Sequence, residues 1–187
     1  VQLAADQLQL DFALRAAGSG SSVDLAGVVP VDPKASGLEL RLSSRGDGLR
    51  FLGGLAEPAL QWKQGSGDLQ LLVRGSVERP IANGFLRFSG AELVLLDQHV
   101  RDLNATVLFD FEELQLQQLV ARVGERGRIT GEGRLRLFPA AAPVPGAEEP
   151  ALQISLAAVP FASPRFRGVT DGRLRIGGSL QGARVGG

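Results

Sequence analysis

The chain lacks most of the side chains on which catalysis and metal binding rely. Its 187 residues include no Cys, no Met and no Tyr, one Trp and one His. Without Cys it can form neither disulfides nor thiolate metal sites, and thiol catalysis and covalent haem attachment are excluded with them. One His and no Asp-x-Asp calcium loop leave no recognisable set of metal ligands. The sequence therefore predicts no metal site and no cofactor.

The sequence also lacks an excess of charge of either sign and long hydrophobic runs. Lys+Arg and Asp+Glu number 20 each, whereas a nucleic-acid-binding protein normally carries a basic excess or patch, so no nucleic-acid partner is expected. A membrane-spanning helix needs about 20 consecutive apolar residues, and Pro160 interrupts the richest stretch, 156–162. The N-terminus shows no signal-peptide pattern. Because the chain begins with Val1, we expect a segment of a longer protein, which could carry its anchor elsewhere.

Two groups of polar side chains are candidates for hydrolysis. Ser89, Asp97 and His99 are the parts of a nucleophilic triad, but no G-x-S-x-G elbow is present and His99 lies in a segment typical of a polar turn. Glu112 and Glu113 are adjacent, and adjacent residues of a strand face opposite sides, so they cannot flank one glycosidic bond. We expect no enzyme. A hydrolase that depends on His99 is the remaining enzymatic alternative.

Phosphate-binding glycine motifs are absent as well. Gly131-x-Gly133 is followed by Arg136 where the dinucleotide fingerprint requires a third glycine, and no Gly-x4-Gly-Lys loop occurs.

Alternation of apolar and polar residues dominates the chain. Residues two apart share one face of a strand, so this pattern predicts strands with one apolar and one polar side. Gly (25 residues) and Pro (10 residues), with Ser, Asn and Asp, separate the runs, and the connections are too short for crossover helices. We therefore predict an all-β fold of roughly a dozen or more short antiparallel strands. The clearest runs lie at residues 8–14, 38–42, 69–73, 103–111, 135–137, 152–156 and 174–176.

Two segments also fit a helical stripe. In the second of them, alternation is restored if one bulge falls near Gln117–Gln118, so a strand is favoured there, with a helix over residues 113–123 as the alternative. Segment 140–150 has three prolines and no period, which predicts a loop or linker. The residues at helical spacing are Leu3, Leu10, Leu14 and Ala17 in the first segment and Leu116, Leu119, Val120 and Val123 in the second.

A turn motif recurs along the chain. After Gly75 come a small residue, an apolar residue, two further residues and Pro80, and two other copies share this spacing, with Ala183 replacing the proline in the last. A strand that ends at glycine, followed by a proline that cannot donate to the ladder, predicts a repeated strand–turn–strand unit. A further glycine follows nine residues after the first in two copies, whereas the first copy has Trp62 there. The motif residues are Gly53, Pro58, Gly75, Pro80, Gly84, Gly178 and Gly187.

These units, together with the glycine-rich step Ile129-Thr-Gly-Glu-Gly-Arg-Leu-Arg-Leu137, resemble the TamB (AsmA-like) family of bacterial envelope proteins, the inner-membrane components of a translocation and assembly module. Residues 67–138 carry the resemblance, and it extends over residues 37–187. It divides the chain into a generic strand segment (1–36), groove repeats (37–138), a Pro/Ala-rich loop (139–150) and the start of the next unit (151–187).

The resemblance implies a fold, a location and a function. Members of the family are long periplasmic proteins anchored in the inner membrane, with a twisted sheet curled into an open groove, or β-taco, that has an apolar interior. It therefore implies phospholipid transport between the two membranes, outer-membrane protein assembly with a β-barrel partner, or both. Phospholipid acyl chains would contact the groove without readout of the headgroup. The expected lining residues are Leu103, Val107, Phe109, Phe111, Leu135, Leu137, Ile154, Leu156, Leu174 and Ile176.

Periodicity alone leaves two questions open. A closed β-sandwich or a β-solenoid, acting as a surface adhesin or a structural spacer, would show the same alternation as an open groove. Arg134, Arg136, Arg173 and Arg175 alternate with aliphatic residues and so share the polar side of their strands. A solvated face that discourages edge pairing is the first interpretation, and a basic strip near phospholipid headgroups or an acidic partner is the second.

Overall fold

The computed structural model describes residues 2–4, 6–15, 22–46, 60–95, 97–138, 150–163, 166–179 and 182–186. These residues contain no helix and form one twelve-stranded sheet, antiparallel except for a single parallel bridge between Ser179 and Arg136. The strands are β1 (Gln2–Ala4), β2 (Gln7–Arg15), β3 (Ser22–Pro30), β4 (Leu38–Arg45), β5 (Leu60–Gly75), β6 (Pro80–Leu95), β7 (Gln98–Phe111), β8 (Glu113–Val123), β9 (Gly127–Arg136), β10 (Ala151–Ser163), β11 (Phe166–Ser179) and β12 (Gly182–Gly186).

The strands follow one another in the sheet in the same order as along the chain. Each strand from β2 to β11 therefore pairs with both of its sequence neighbours, which is the arrangement that short connections between antiparallel strands favour. β1 and β12 do not pair with each other, so the sheet is not closed. The prediction of an all-β fold built as an elongated, curled antiparallel sheet is confirmed.

Single-residue bulges keep the apolar residues on one side where their spacing departs from two. In β8 the register shifts between Leu116 and Leu119, which confirms the bulge predicted near Gln117–Gln118 and excludes a helix over residues 113–123. A bulge adds one residue to one strand only, so apolar residues three apart end on the same face. Bulges in β6, β7 and β10 act in the same way.

Side chains of the adjacent strand satisfy the backbone at two of these bulges. The N–H of Gly90 in β6 donates to Asn104 Oδ1 of β7 at 3.1 Å, and the N–H of Ala158 in β10 donates to Asp171 Oδ1 of β11 at 2.8 Å. Gly90 and Ala158 both have left-handed backbone conformations, with φ of 56° and 49°. The bulge residues therefore keep a hydrogen-bond partner although they leave the ladder.

The repeated turn motif has the same geometry in the two copies that lie among the described residues. Gly75 pairs with Pro80 across the β5–β6 hairpin, and Gly178 pairs with Ala183 across the β11–β12 hairpin. The hydroxyl that follows each glycine accepts a backbone N–H three residues on, in Ser76–Arg79 (3.1 Å) and in Ser179–Gly182 (3.2 Å). Ala183 thus occupies the structural position of the proline. Gly53, Pro58 and Gly187 lie outside the described residues.

Glycines in every third strand allow adjacent strands to approach closely. Gly84 on β6 and Gly133 on β9 have φ of 146° and 131°, and each is paired with large apolar residues on both neighbouring strands. A Cβ at Gly133 would overlap the carbonyl oxygen of Ala151 and lie 2.9 Å from Leu152 Cα. Gly27 on β3 has the same arrangement. Glycine kinks of this kind, together with bulges, are a known source of curvature in sheets.

Buried side chains show that the sheet curls toward its apolar side. Ala82 on β6 belongs to one buried cluster with Leu114 on β8 and Leu135 on β9. Strands two apart in a flat sheet are separated by about 9.6 Å, which an alanine methyl cannot span, so the sheet must bend over β7. The first cluster is Ala91, Leu93, Val100, Leu103, Ala105, Ala121 and Val123, and the second cluster is Ala82, Leu114, Leu135 and Leu137.

We predict that Gly133→Ala destabilises the chain by about 1–3 kcal/mol or more, because the new methyl group meets the β10 backbone at a φ that L-residues rarely adopt. Gly172→Ala on β11 is the matched control, since nothing lies within 4 Å of a Cβ built there. Urea unfolding of both variants measures the difference. Equal stability of the two variants would show that close approach at Gly133 does not shape the sheet.

Candidate functional site

The strand register brings nine of the ten predicted lining residues onto one side of the sheet, and the tenth, Leu137, follows β9 and packs with Leu114 and Leu135 on that side. Residues that pair across adjacent strands point to the same side, and a chain of such pairs links all the strands concerned. Phe109, for example, pairs with Leu114, which pairs with Leu135. We call this side the apolar face and the opposite side the polar face. The further pairs are Leu103–Ala91, Val107–Leu116, Phe111–Ala82, Ile154–Gly131, Ile154–Leu174, Leu156–Ile129 and Ile176–Leu152.

Burial divides the ten residues into a packed floor and an accessible lining. Leu103, Leu135 and Leu137 are buried in the two clusters. At the other extreme, Phe111 is 56% exposed. The half-buried members are Val107, Phe109, Ile154, Leu156, Leu174 and Ile176. The apolar face therefore offers apolar surface to a ligand while its floor holds the sheet together.

No second layer of described strands covers this face. All twelve strands belong to one sheet, whereas a β-sandwich requires two sheets packed about 10 Å apart. The two clusters lie toward opposite ends of the strands, and the buried Leu116 between them belongs to neither. The curled sheet thus has a buried cluster toward each end of its strands, with Val107 packed against the second cluster, and a half-buried zone between them that includes Ile154.

Trp62 and Ser44 belong to the same face, although neither was among the predicted lining residues. The Trp62 ring lies 6.0 Å from the Phe88 ring at 36° and packs against the first cluster, while Ser44 sits between Val23 and Leu69. Trp62 Nε1 and Ser44 Oγ are buried polar atoms with no hydrogen-bond partner among the described residues. The available signal was that Trp62 occupies the position at which the other two copies of the turn motif have glycine. Ser44 continues the apolar phase of β4 but is polar, so periodicity gave no signal.

The candidate catalytic residues are not brought together. His99 is exposed on the polar face opposite Val94, and Ser89 lies five positions along β6 from Val94, about 16 Å at the usual strand rise. Asp97 lies in the hairpin turn between β6 and β7. Glu112 occupies the turn after β7, and Glu113 pairs with Asp110. Neither hydrolytic arrangement therefore has the geometry its chemistry requires.

Open depressions lie on the polar face of β8–β11. The largest of those described has a volume of about 550 Å³ and is lined mainly by Gln153, Ser155, Arg173 and Arg175. A neighbouring depression of about 460 Å³ shares Gln153 and adds Arg134. Ile154 and Leu174 contribute to the lining of the first depression, although the strand register assigns them to the apolar face.

No family model, curated protein or solved structure matches the chain. In the ranges that the structure describes, no helix has the length and apolar character needed to cross a membrane. The same ranges contain no group of three His, Cys, Asp or Glu side chains arranged to hold a metal ion.

We predict that Leu135→Ala lowers the free energy of unfolding much more than Phe111→Ala, because Leu135 belongs to the packed floor of the apolar face and Phe111 to its accessible lining. Leu135 is 2% exposed, so its truncation leaves a cavity and lowers the free energy of unfolding by about 2–5 kcal/mol. Phe111 is 56% exposed, so its truncation costs less than about 1 kcal/mol. Chemical denaturation measures both values. A loss at Phe111 as large as that at Leu135 would mean that Phe111 is structural.

Proposed function

We propose that the chain is a non-enzymatic segment of a TamB-like cell-envelope protein whose apolar face shelters phospholipid acyl chains on their way between the inner and outer membranes. The observation that carries the proposal is the convergence of ten predicted lining residues on one face of a single-layered, unclosed sheet. A periplasmic location, with an inner-membrane anchor outside this segment, belongs to the same proposal.

The physical argument is that acyl chains need only continuous apolar surface. Each CH₂ buried contributes about 0.8 kcal/mol, and this attraction has no preferred direction. Half-buried residues such as Val107, Ile154 and Leu174 retain surface that an acyl chain can cover. A carrier of this kind requires no catalytic group and no cofactor, which agrees with the scattered positions of His99 and Ser89.

Trp62 and Ser44 place two buried polar atoms within the apolar face. An unpaired indole N–H or hydroxyl in apolar surroundings costs free energy of folding. Trp62 packs beside Phe88 in the first cluster, near the end of the strands. Both polar atoms are enclosed by protein, so a lipid on the apolar face meets apolar surface rather than these two groups.

Support of outer-membrane protein assembly is the second role within the same proposal. The strand at each end of the sheet leaves one edge of backbone groups unpaired by other strands of the described sheet. Such edges accept further strands, either from neighbouring repeats or from an extended client protein. All five residues of β12 are exposed, which keeps that edge accessible.

Site-specific photocrosslinking tests the lipid-carrier function. We predict that benzoyl-phenylalanine in place of Ile154 forms light-dependent phospholipid adducts in cells, because this position faces the apolar surface. Gln153 is the matched control, since it is adjacent in the chain, exposed and directed to the polar face. Mass spectrometry of the purified adducts identifies the lipid. A known lipid-bridge protein carrying the same probe serves as the positive control.

Two results would contradict this function. Equal adduct yields at Ile154 and Gln153 would indicate non-selective contact with membranes. Absence of adducts at Ile154, Leu174 and Val107, with a working positive control, would favour the alternative of a structural spacer or adhesin.

A further inference from the structure

Arginines gather on the polar face at the β8–β11 end of the sheet. Alternation places them opposite the apolar face, and the register sets Arg122 directly beside Arg128. Like charges directly opposite each other on adjacent strands are destabilising, so this arrangement has a cost that folding does not require. We call the group the arginine face; it consists of Arg122, Arg128, Arg134, Arg136, Arg173 and Arg175.

Carboxylates on the same side do not neutralise this face. The polar side of β8–β11 carries Glu113, Glu132 and Asp171, and Asp171 accepts the backbone N–H of Ala158. Arg122 forms an ion pair with Asp102 of β7. The ion pairs within the described ranges involve Arg41, Arg74 and Arg122, so no carboxylate lies within 4 Å of the guanidinium nitrogens of the other five arginines there. The zero net charge of the chain therefore conceals a local excess of positive charge.

At the opposite end of the sheet, arginines form ion pairs with a carboxylate. Arg41 on β4 and Arg74 on β5 both bond to Glu39, at 2.7 Å and 3.5 Å. Those two arginines are exposed and lie on the same polar side of the sheet as the arginine face. Ion pairing is therefore available to arginines in this fold, and among the described residues five of the six members of the arginine face lack it.

The chemistry of the arginine face suits phosphate groups. All six cations are arginine, whose planar guanidinium binds phosphate oxygens through two parallel hydrogen bonds. Gln153 and Ser155 pair with Arg175 and Arg173 on β11 and with Glu132 and Thr130 on β9, and they line the same depression as the two β11 arginines. Guanidinium groups, neutral hydrogen-bonding groups and one carboxylate, Glu132, thus share a shallow, open surface on which the guanidinium groups outnumber the carboxylate.

The breadth of the surface favours a bilayer as the source of phosphate. The four strands β8–β11 cover about 15 Å of sheet, which exceeds one phosphate and spans several lipid headgroups. None of the described side chains on this part of the polar face is aromatic, whereas single-stranded nucleic acids are normally bound with stacking aromatics. Val169, 67% exposed at the β11 end of the same face, adds an aliphatic side chain that can enter the interfacial region of a membrane.

We propose that the arginine face docks the protein on the surface of an anionic phospholipid bilayer by binding lipid phosphates. The inference concerns the side of the sheet opposite the apolar face and stands independently of the lipid-carrier function. Each arginine near an anionic membrane contributes about a five-fold gain in partitioning.

Vesicle flotation tests this proposal with the intact chain. Phosphatidylcholine vesicles containing one third phosphatidylglycerol should bind the protein, and pure phosphatidylcholine vesicles should not. The double variant Arg173→Gln/Arg175→Gln should lower partitioning by about thirty-fold, and Arg134→Gln alone by about five-fold.

Arg41→Gln/Arg74→Gln is the matched control, because it removes the same charge from the same side of the sheet but from arginines paired with Glu39. Raising the salt concentration should weaken the binding of the unmodified chain.

Four outcomes would overturn the proposal. They are equal binding to anionic and neutral vesicles, equal loss of binding in the two double variants, no binding to either vesicle, and preferential binding of duplex DNA or an acidic peptide that the Arg173→Gln/Arg175→Gln variant loses. The photocrosslinking result at Ile154 is independent of all four, so failure of docking and failure of the lipid-carrier function are distinguishable.

Discussion

Cross-strand register is the constraint on which the other features of this protein depend. Side chains alternate between the two faces with a period of two, so a slip of one residue in any strand would move its leucines to the polar side. In a meander each strand sets the phase of the next, and an error at β6 would propagate to β11. The spacings of three at Phe88–Ala91 and Leu116–Leu119 would cause such slips without their bulges.

The curvature of the sheet follows from the glycines that lie on the apolar face, in the middle of the strands. At Gly84 and Gly133 a larger residue would push the adjacent strand away. Leucine or phenylalanine lies beside each glycine on the neighbouring strands. Space left by the glycine is filled from the adjacent strands as the sheet bends. The buried clusters at the margins then stabilise the bend. The face remains apolar throughout, but it is packed at its margins and half-buried in between.

The two faces of the sheet match the two parts of a phospholipid, yet one lipid molecule cannot use both. The apolar face suits acyl chains, and the arginine face suits phosphates, but a single layer of backbone separates them. Arg173 and Leu174 are adjacent in the chain and point in opposite directions. Under our proposals, the arginine face therefore contacts lipids that stay in the bilayer, while the apolar face holds lipids that have left it. The two proposals together describe a sheet that would lie on a membrane and hold lipid on the side that faces away from it.

Local pattern determined the identity of the strands, their two faces and their hairpins. Alternation at 103–111, the bulge near Gln117–Gln118 and the turn after Gly75 are all visible over fewer than ten residues, which is why they could be predicted. The ten lining residues share a face because each is in phase with its own strand. The sequence did not distinguish a single unclosed sheet from a sandwich, since both present the same alternation. The juxtaposition of Arg122 and Arg128, the unpaired Nε1 of Trp62 and the bend over Ala82 arise between strands distant in sequence. Only the tertiary structure could decide these features, because the periodicity of one strand carries no information about which residues the next strand places beside it.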